Sequence, residues 1–185
     1  FACRALTYSR DGKFLVAGIG GVASMASKEG SFMVINAATM EITKEDRKAK
    51  QYITDIKFGG ETDSVSTNKL VAFASNDGRV YLHDGTTFEY KTVVEVSPTA
   101  CSISKIDFSS DSSLLRISTN MCELFYYNVE TSAAIASSAS VRDTKWLTDS
   151  CPYSWNTQGV YDPEAEATAG RTVLGVSDNE HSFTL

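Results

Sequence analysis

Between Lys69 and Asp84 the chain changes face at every residue. Leu70, Ala72 and Ala74 fall on one side of an extended strand, and Val71, Phe73 and Ser75 on the other. Arg79, Tyr81 and His83 then alternate with Val80, Leu82 and Asp84. The intervening Asn76-Asp77-Gly78 is turn chemistry, because Asn and Gly tolerate positive φ. The pattern predicts a β-hairpin. Ile53–Phe58 precedes it and Tyr90–Val96 follows, so four short strands form a meander.

The unit recurs. One copy runs through Tyr8-Ser-Arg-Asp-Gly12, Phe14–Gly18 and Ser31–Asn36, and another through Phe108-Ser-Ser-Asp-Ser112, Leu114–Ser118 and Glu123–Asn128. Trp146, Val173–Ser177 and Ser182–Leu185 mark a more distorted fourth copy. The anchor aromatics Tyr8, Phe58 and Phe108 recur about every 50 residues, with Trp146 about 38 further on. That period, with four strands per unit, predicts an all-β fold: a partial WD-repeat β-propeller of about four blades, each a four-stranded antiparallel sheet. The blades fall at about 1–51, 52–100, 101–140 and 141–185. Their inner strands are expected at about 4–9, 53–58, 103–108 and 142–147, with the four anchor aromatics buried between adjacent blades.

The remaining stretches are read from this frame. An outer strand is expected near Met40–Thr43, followed by a charged loop through Lys44–Lys50. Thr131–Ser140, rich in Ala and Ser, takes the outer-strand place in the third copy. Residues 147–172 exceed a blade turn and are read as an elaboration on the propeller. Its aromatics Tyr153, Trp155 and Tyr161 are candidate partner contacts, with a packed lid as the alternative. Four blades fall short of the usual ring, and the last copy stops at Leu185 with its third strand still expected to run. The chain therefore reads as the C-terminal part of a propeller whose remaining blades lie N-terminal to residue 1.

Charge and cysteine usage narrow the partners. With 17 basic and 23 acidic residues the net charge is −6, which argues against a general affinity for nucleic acid or anionic lipid. No apolar run is long enough to span a membrane. Cys3, Cys101, Cys122 and Cys151 lack C-x-x-C spacing and fit reduced thiols of the cytoplasm, with Cys3 and Cys101 read as small core residues.

Two motifs invite a chemical reading. Gly18-Ile-Gly20-Gly-Val-Ala23 nearly matches a dinucleotide fingerprint, but the next strand begins at Ser31, too soon for a crossover helix. A loop between antiparallel strands is the better account. His83-Asp84 resembles half of a catalytic pair, but Asp84 stands where Asn36 and Asn128 stand in the neighbouring copies. That is the place of the Trp-Asp dipeptide in WD repeats, where a short polar side chain bonds turn backbone. Asn36, Asp84, Asn128, Asp77 and Gly78 are therefore structural repeat positions. The cysteines with His83 and His181 lack metal-ligand spacing, and Glu164 and Glu166 read as solvated. No catalytic residue, cofactor or metal is expected, and the chain is read as not an enzyme.

The third and fourth copies carry a resemblance. ISKIDFSSDSSLLRISTNMCELFYYN at 103–128, SASVRDTKWLTDSCPYSWNTQGVYDP at 138–163 and TVLGVSDNEHSFTL at 172–185 resemble the last blades of the echinoderm microtubule-associated protein-like family. The counterparts of that family's motifs are Trp146, Ser150-Cys151, Gly159-Val160-Tyr161-Asp162-Pro163 and Val176-Ser177-Asp178-Asn179-Glu180-His181. The resemblance implies a tandem pair of joined propellers and association with tubulin or microtubules, direct or indirect, in the cytoplasm, cytoskeleton or ciliary axoneme. The expected function is a non-catalytic structural and interaction module. The alternative is a WD-repeat scaffold that binds other proteins without touching tubulin.

Overall fold

The computed structural model describes residues 2–21, 28–60, 69–96 and 101–152, and two short strands at 175–176 and 183–184. The first sheet is a meander of β1 (Cys3–Tyr8), β2 (Phe14–Ile19), β3 (Ser31–Asn36) and β4 (Ile42–Arg47). The second repeats it with β5 (Ile53–Gly59), β6 (Leu70–Ser75), β7 (Arg79–Asp84) and β8 (Tyr90–Glu95). The third has β9 (Ile103–Phe108), β10 (Leu114–Thr119) and β11 (Leu124–Asn128). β12 (Gly175–Val176) pairs with β13 (Phe183–Thr184). Every pairing is antiparallel between strands adjacent in sequence. The first strands lie side by side, β1 against β5 and β5 against β9, which is the arrangement of propeller blades around an axis.

The registers make the repeat literal. Tyr8 faces Leu15, Phe58 faces Val71 and Phe108 faces Leu115 across the first two strands of each sheet. A bulge in each first strand, at Cys3/Ala5, Ile53/Asp55 and Ser118/Thr119 opposite Ile103, puts Ile53, Ile56 and Phe58 on one face and their counterparts Ile103, Ile106 and Phe108 on the same face of the third sheet. One core lies between the first and second sheets, where Val16, Phe32 and Val34 meet Ile53, Ile56, Phe58 and Phe73. Phe32 and Phe73 stack there at 4.2 Å. A second core lies between the second and third sheets, where Leu70, Ala72, Val80 and Leu82 meet Ile106, Phe108, Leu115 and Tyr127. The second sheet is thus buried on both faces, and β6 is buried at all six positions.

Several expectations are corrected. Phe58 and Phe108 are buried at 7% and 0%, but Tyr8 is 62% exposed and its neighbour Leu6 61%. The reason lies in the face each occupies. Ile56 and Phe58 pack back onto the first sheet, and Ile106 and Phe108 back onto the second. Leu6 and Tyr8 hold the same row of the first sheet, and among the described residues no sheet stands in front of them. The outer strand starts later than Met40 and runs through the charged stretch, Ile42–Arg47, so Lys44–Arg47 is strand and not loop. An edge strand at a rim tolerates alternating charge because one side faces water. Thr131–Ser140 forms no strand: a lone bridge joins Ala134 to Tyr127, and a 3-10 helix follows at Ser138–Val141. Ala and Ser have weak strand preference. The 142–147 inner strand is likewise reduced to one bridge, Ser109 to Trp146. Cys3 is exposed, whereas Cys101 is buried.

Candidate functional site

The residues singled out at the ends of the third strands build one turn three times. The side-chain oxygen of Asn36 accepts the Ala38 and Thr39 N–H groups at 2.9 and 3.1 Å. Asp84 accepts Thr86 and Thr87 at 2.9 and 3.0 Å, and Asn128 accepts Glu130 and Thr131 at 3.0 Å each. Each turn closes with a left-handed residue four positions on: Met40 at φ 59°, Phe88 at 57° and Ser132 at 53°. The backbone N–H donors hold the Asp84 carboxyl down at about 2, Thr87 first, and Lys91 adds an ion pair at 3.1 Å.

His83 points away from Asp84, since neighbours on a strand face opposite sides. Its Nδ1 lies 3.1 Å from the Phe88 carbonyl, and its ring sits edge-on to Phe32 and Phe73. Burial pushes its pKa down. The pair is therefore split between a turn and a core, a geometry unsuited to proton relay.

Asp77 and Gly78 turn β6 into β7 and tie two sheets together. Gly78 adopts φ 80°, and a side chain there would meet the Cys101 carbonyl at 2.9 Å. Asp77 accepts the Arg79 N–H at 3.1 Å, the Tyr81 hydroxyl at 2.8 Å and, from the end of the first sheet, the Lys50 N–H at 2.8 Å. Burial first and the Asp77 bond second push the Tyr81 hydroxyl up. The glycines of the near-fingerprint have a packing reason. A Cβ on Gly18 would stand 2.6 Å from Ile53. The Gly21 N–H donates to Glu29 at 2.9 Å, and the other oxygen of Glu29 accepts the Tyr52 N–H at 2.8 Å. A carboxylate of the chain already holds the donor a phosphate would need.

On the far face of the third sheet lies a polar cluster that sequence reasoning missed. Arg116 is buried, its Nη2 3.1 Å from Asp107, itself buried, and also bonded to Asp149. Its guanidinium lies 4.5 Å over the Trp146 ring, which leans on Tyr126. Asp107 accepts the Thr148 N–H at 3.2 Å and its hydroxyl at 2.8 Å. Trp146 is half-buried in this cluster rather than buried as Phe58 and Phe108 are. Burial pushes the neighbouring Cys151 thiol up to about 11. A signal existed: Asp107 and Arg116 sit in register where the other copies have Thr7 with Val16 and Lys57 with Ala72.

Tyr153, Trp155 and Tyr161 lie outside the described residues. Among the described residues, no group of three His, Cys, Asp or Glu side chains is placed to hold a metal, and no helix is long and apolar enough to cross a membrane.

Sheets of one meander topology, stacked through their first strands and closed by the same turns, define a β-propeller of repeated blades. Residues 1–183 match the family described as the echinoderm microtubule-associated protein second beta-propeller. The chain belongs to that family.

Proposed function

We propose that this chain is part of a non-catalytic propeller that serves as an interaction module of a microtubule-associated protein, in the cytoskeleton or the axoneme. The observation that carries the reading is the family match across nearly the whole chain. The site geometry supports it. The conspicuous polar side chains, Asp77, Asp84, Asn128 and Glu29, are bonded to backbone and hold turns and sheets in place. Such a frame is rigid, and rigid frames present loops to partners. The blades are assigned to about 1–51, 52–100, 101–140 and 141–185. A further blade of the same protein covers the face of Leu6 and Tyr8, because that row is buried by a neighbouring sheet in both other copies.

Co-sedimentation of the full-length protein with taxol-stabilised microtubules tests the proposal. The expected result is saturable pelleting that falls when this chain's surface residues are altered. Pelleting that is indifferent to every such change favours the scaffold reading, in which the chain binds other proteins and tubulin contact lies elsewhere.

A further inference from the structure

One position in the repeat changes its chemistry from sheet to sheet. Immediately before Asn36, Asp84 and Asn128 stand Ile35, His83 and Tyr127. Tyr127 faces back onto the second sheet, and its hydroxyl donates to the Val96 carbonyl, just past β8, at 2.9 Å. His83 faces back onto the first sheet in the same way, its ring 5.1 Å from both Phe32 and Phe73. An imidazole is shorter than a phenol, and the Nε2 of His83 is buried with no partner. His83 lines a narrow space, too tight for a water molecule, together with Lys48 and Ala49. Those two residues follow β4 as Val96 follows β8.

The other ring nitrogen fixes the tautomer. Nδ1 lies 3.1 Å from the Phe88 carbonyl, which can only accept, so the neutral ring carries its hydrogen on Nδ1 and a bare lone pair on Nε2. A proton arriving at Nε2 creates a buried cation with no acceptor. The first sheet sets Lys44, Asp46 and Lys48 near it, two cations to one carboxylate. Its own sheet adds Tyr81 and Tyr90 on that side, while β3 and β6 present only Phe32 and Phe73. Burial already pushes the His83 pKa down. The rim beside the ring is lightly fastened. The Lys44 ammonium donates to the Thr87 carbonyl at 3.0 Å from an exposed position, and the Lys48 ammonium lies 5.8 Å from the centre of the exposed Tyr90 ring.

We propose that His83 is an acid-sensitive latch between the first two blades: a proton taken up from solvent at Nε2 parts β4 from β8 at the rim. The opened imidazolium gains water and the Asp46 carboxylate as partners. The inner strands stay packed, because Ile53 and Ile56 of β5 are held by Val16 and Phe32 of the first sheet. The joint between the second and third sheets carries no such latch, since Tyr127 fills the same place with a bonded hydroxyl that burial keeps neutral. The inference concerns the joint itself and does not depend on what the propeller binds.

Hydrogen exchange of the full-length protein at pH 7.5 and 5.5, corrected for the intrinsic pH dependence of exchange, tests the latch. An opened rim returns the imidazole to its ordinary value of about 6.5, so the open form gains by up to about tenfold across this interval. Protection over 42–48 and 88–94 is expected to fall by about that factor, while β5 and β6 keep theirs. His83→Tyr installs the residue that the third sheet holds there, and His83→Phe keeps a ring without a titrating nitrogen. Both are expected to remove the loss of rim protection. The proposal is overturned if wild-type rim protection changes by less than about twofold. It is overturned too if β5 and β6 lose protection in step with the rim, which is unfolding of the whole sheet. A folded His83→Tyr or His83→Phe protein whose rim opens in acid as wild type does also refutes it.

Discussion

Replacing Asp107 by Ala leaves Arg116 buried with half of its partners gone. The guanidinium loses the 3.1 Å bond to the carboxylate, and Thr148 loses both of its bonds to Asp107, although Leu147 and Ser150 still bond the Phe108 and Ile106 carbonyls. Stranding one member of a buried pair typically costs about 3–5 kcal/mol. Two features pull this case to the low end: Asp149 still bonds Arg116 from the exposed side, and Trp146 still lies under its plane. A loss of about 3 kcal/mol is expected, which corresponds to roughly 6–12 °C in melting temperature for a unit of this size. Removing both charges should be milder. At these two positions the second sheet pairs Lys57 with Ala72 and the first pairs Thr7 with Val16, so the frame accepts an aliphatic residue where Arg116 stands. The double change Asp107→Thr with Arg116→Val is therefore expected to recover at least half of the loss. Urea and thermal melts of the full-length protein, with hydrogen exchange followed at 145–151, read both effects. If Asp107→Ala shifts stability by less than about 0.5 kcal/mol, or if the double variant is worse than the single, the pair is not what positions this segment.

Other predictions follow from the same geometry. Asp84→Ala removes two turn bonds and should cost about 1–2 kcal/mol by thermal melting, with Asp84→Asn costing less because the amide oxygens of Asn36 and Asn128 make the same two bonds. His83 has a folded pKa below 6.5, so the unfolded chain takes up the proton first; its contribution is full above about pH 6.5 and declines as pH falls, and His83→Gln should flatten the melting temperature between pH 7.5 and 5.5. Asp84 has a folded pKa depressed to about 2, so its contribution is present above the ordinary value of 3.8 and is lost as pH falls towards 2, a slope that Asp84→Asn should remove. Gly18→Val would drive a side chain into Ile53, 2.6 Å from the first added carbon, and is expected to cost about 1–3 kcal/mol in urea unfolding.

The strands of the first two sheets were legible because period-two alternation and turn residues reinforce one another there. The turn positions Asn36, Asp84 and Asn128 were legible because the repeat puts them in register, and each makes the same bonds. Tyr8 was misread because periodicity fixes which face a side chain takes but not whether a sheet covers that face. The Lys44–Arg47 strand was misread because charge on a rim strand resembles charge in a loop. The Arg116 cluster was missed because its partners come from positions 107, 146 and 149, which no local window joins. Glu29 was missed for a similar reason: its two bonds reach back to Gly21 and forward to Tyr52, across a sheet boundary.

The bonds of Glu29 and Asp77 also bear on how the chain would respond to tension. In a four-stranded meander the start of the first strand and the end of the last lie at the same end of the sheet. A pull applied through those two points peels the ladder open one pair at a time, the weakest way to load it. In the first two sheets that end is where the β2 end, the β3 start, the β4 end and the β5 start converge. Glu29 fastens Gly21 to Tyr52 there, and Asp77 fastens Lys50 to the β6–β7 turn. These two carboxylates sit at the mouth of the zipper. They oppose the first step of unzipping, and they link two blades so that force entering one is shared with the next before either opens.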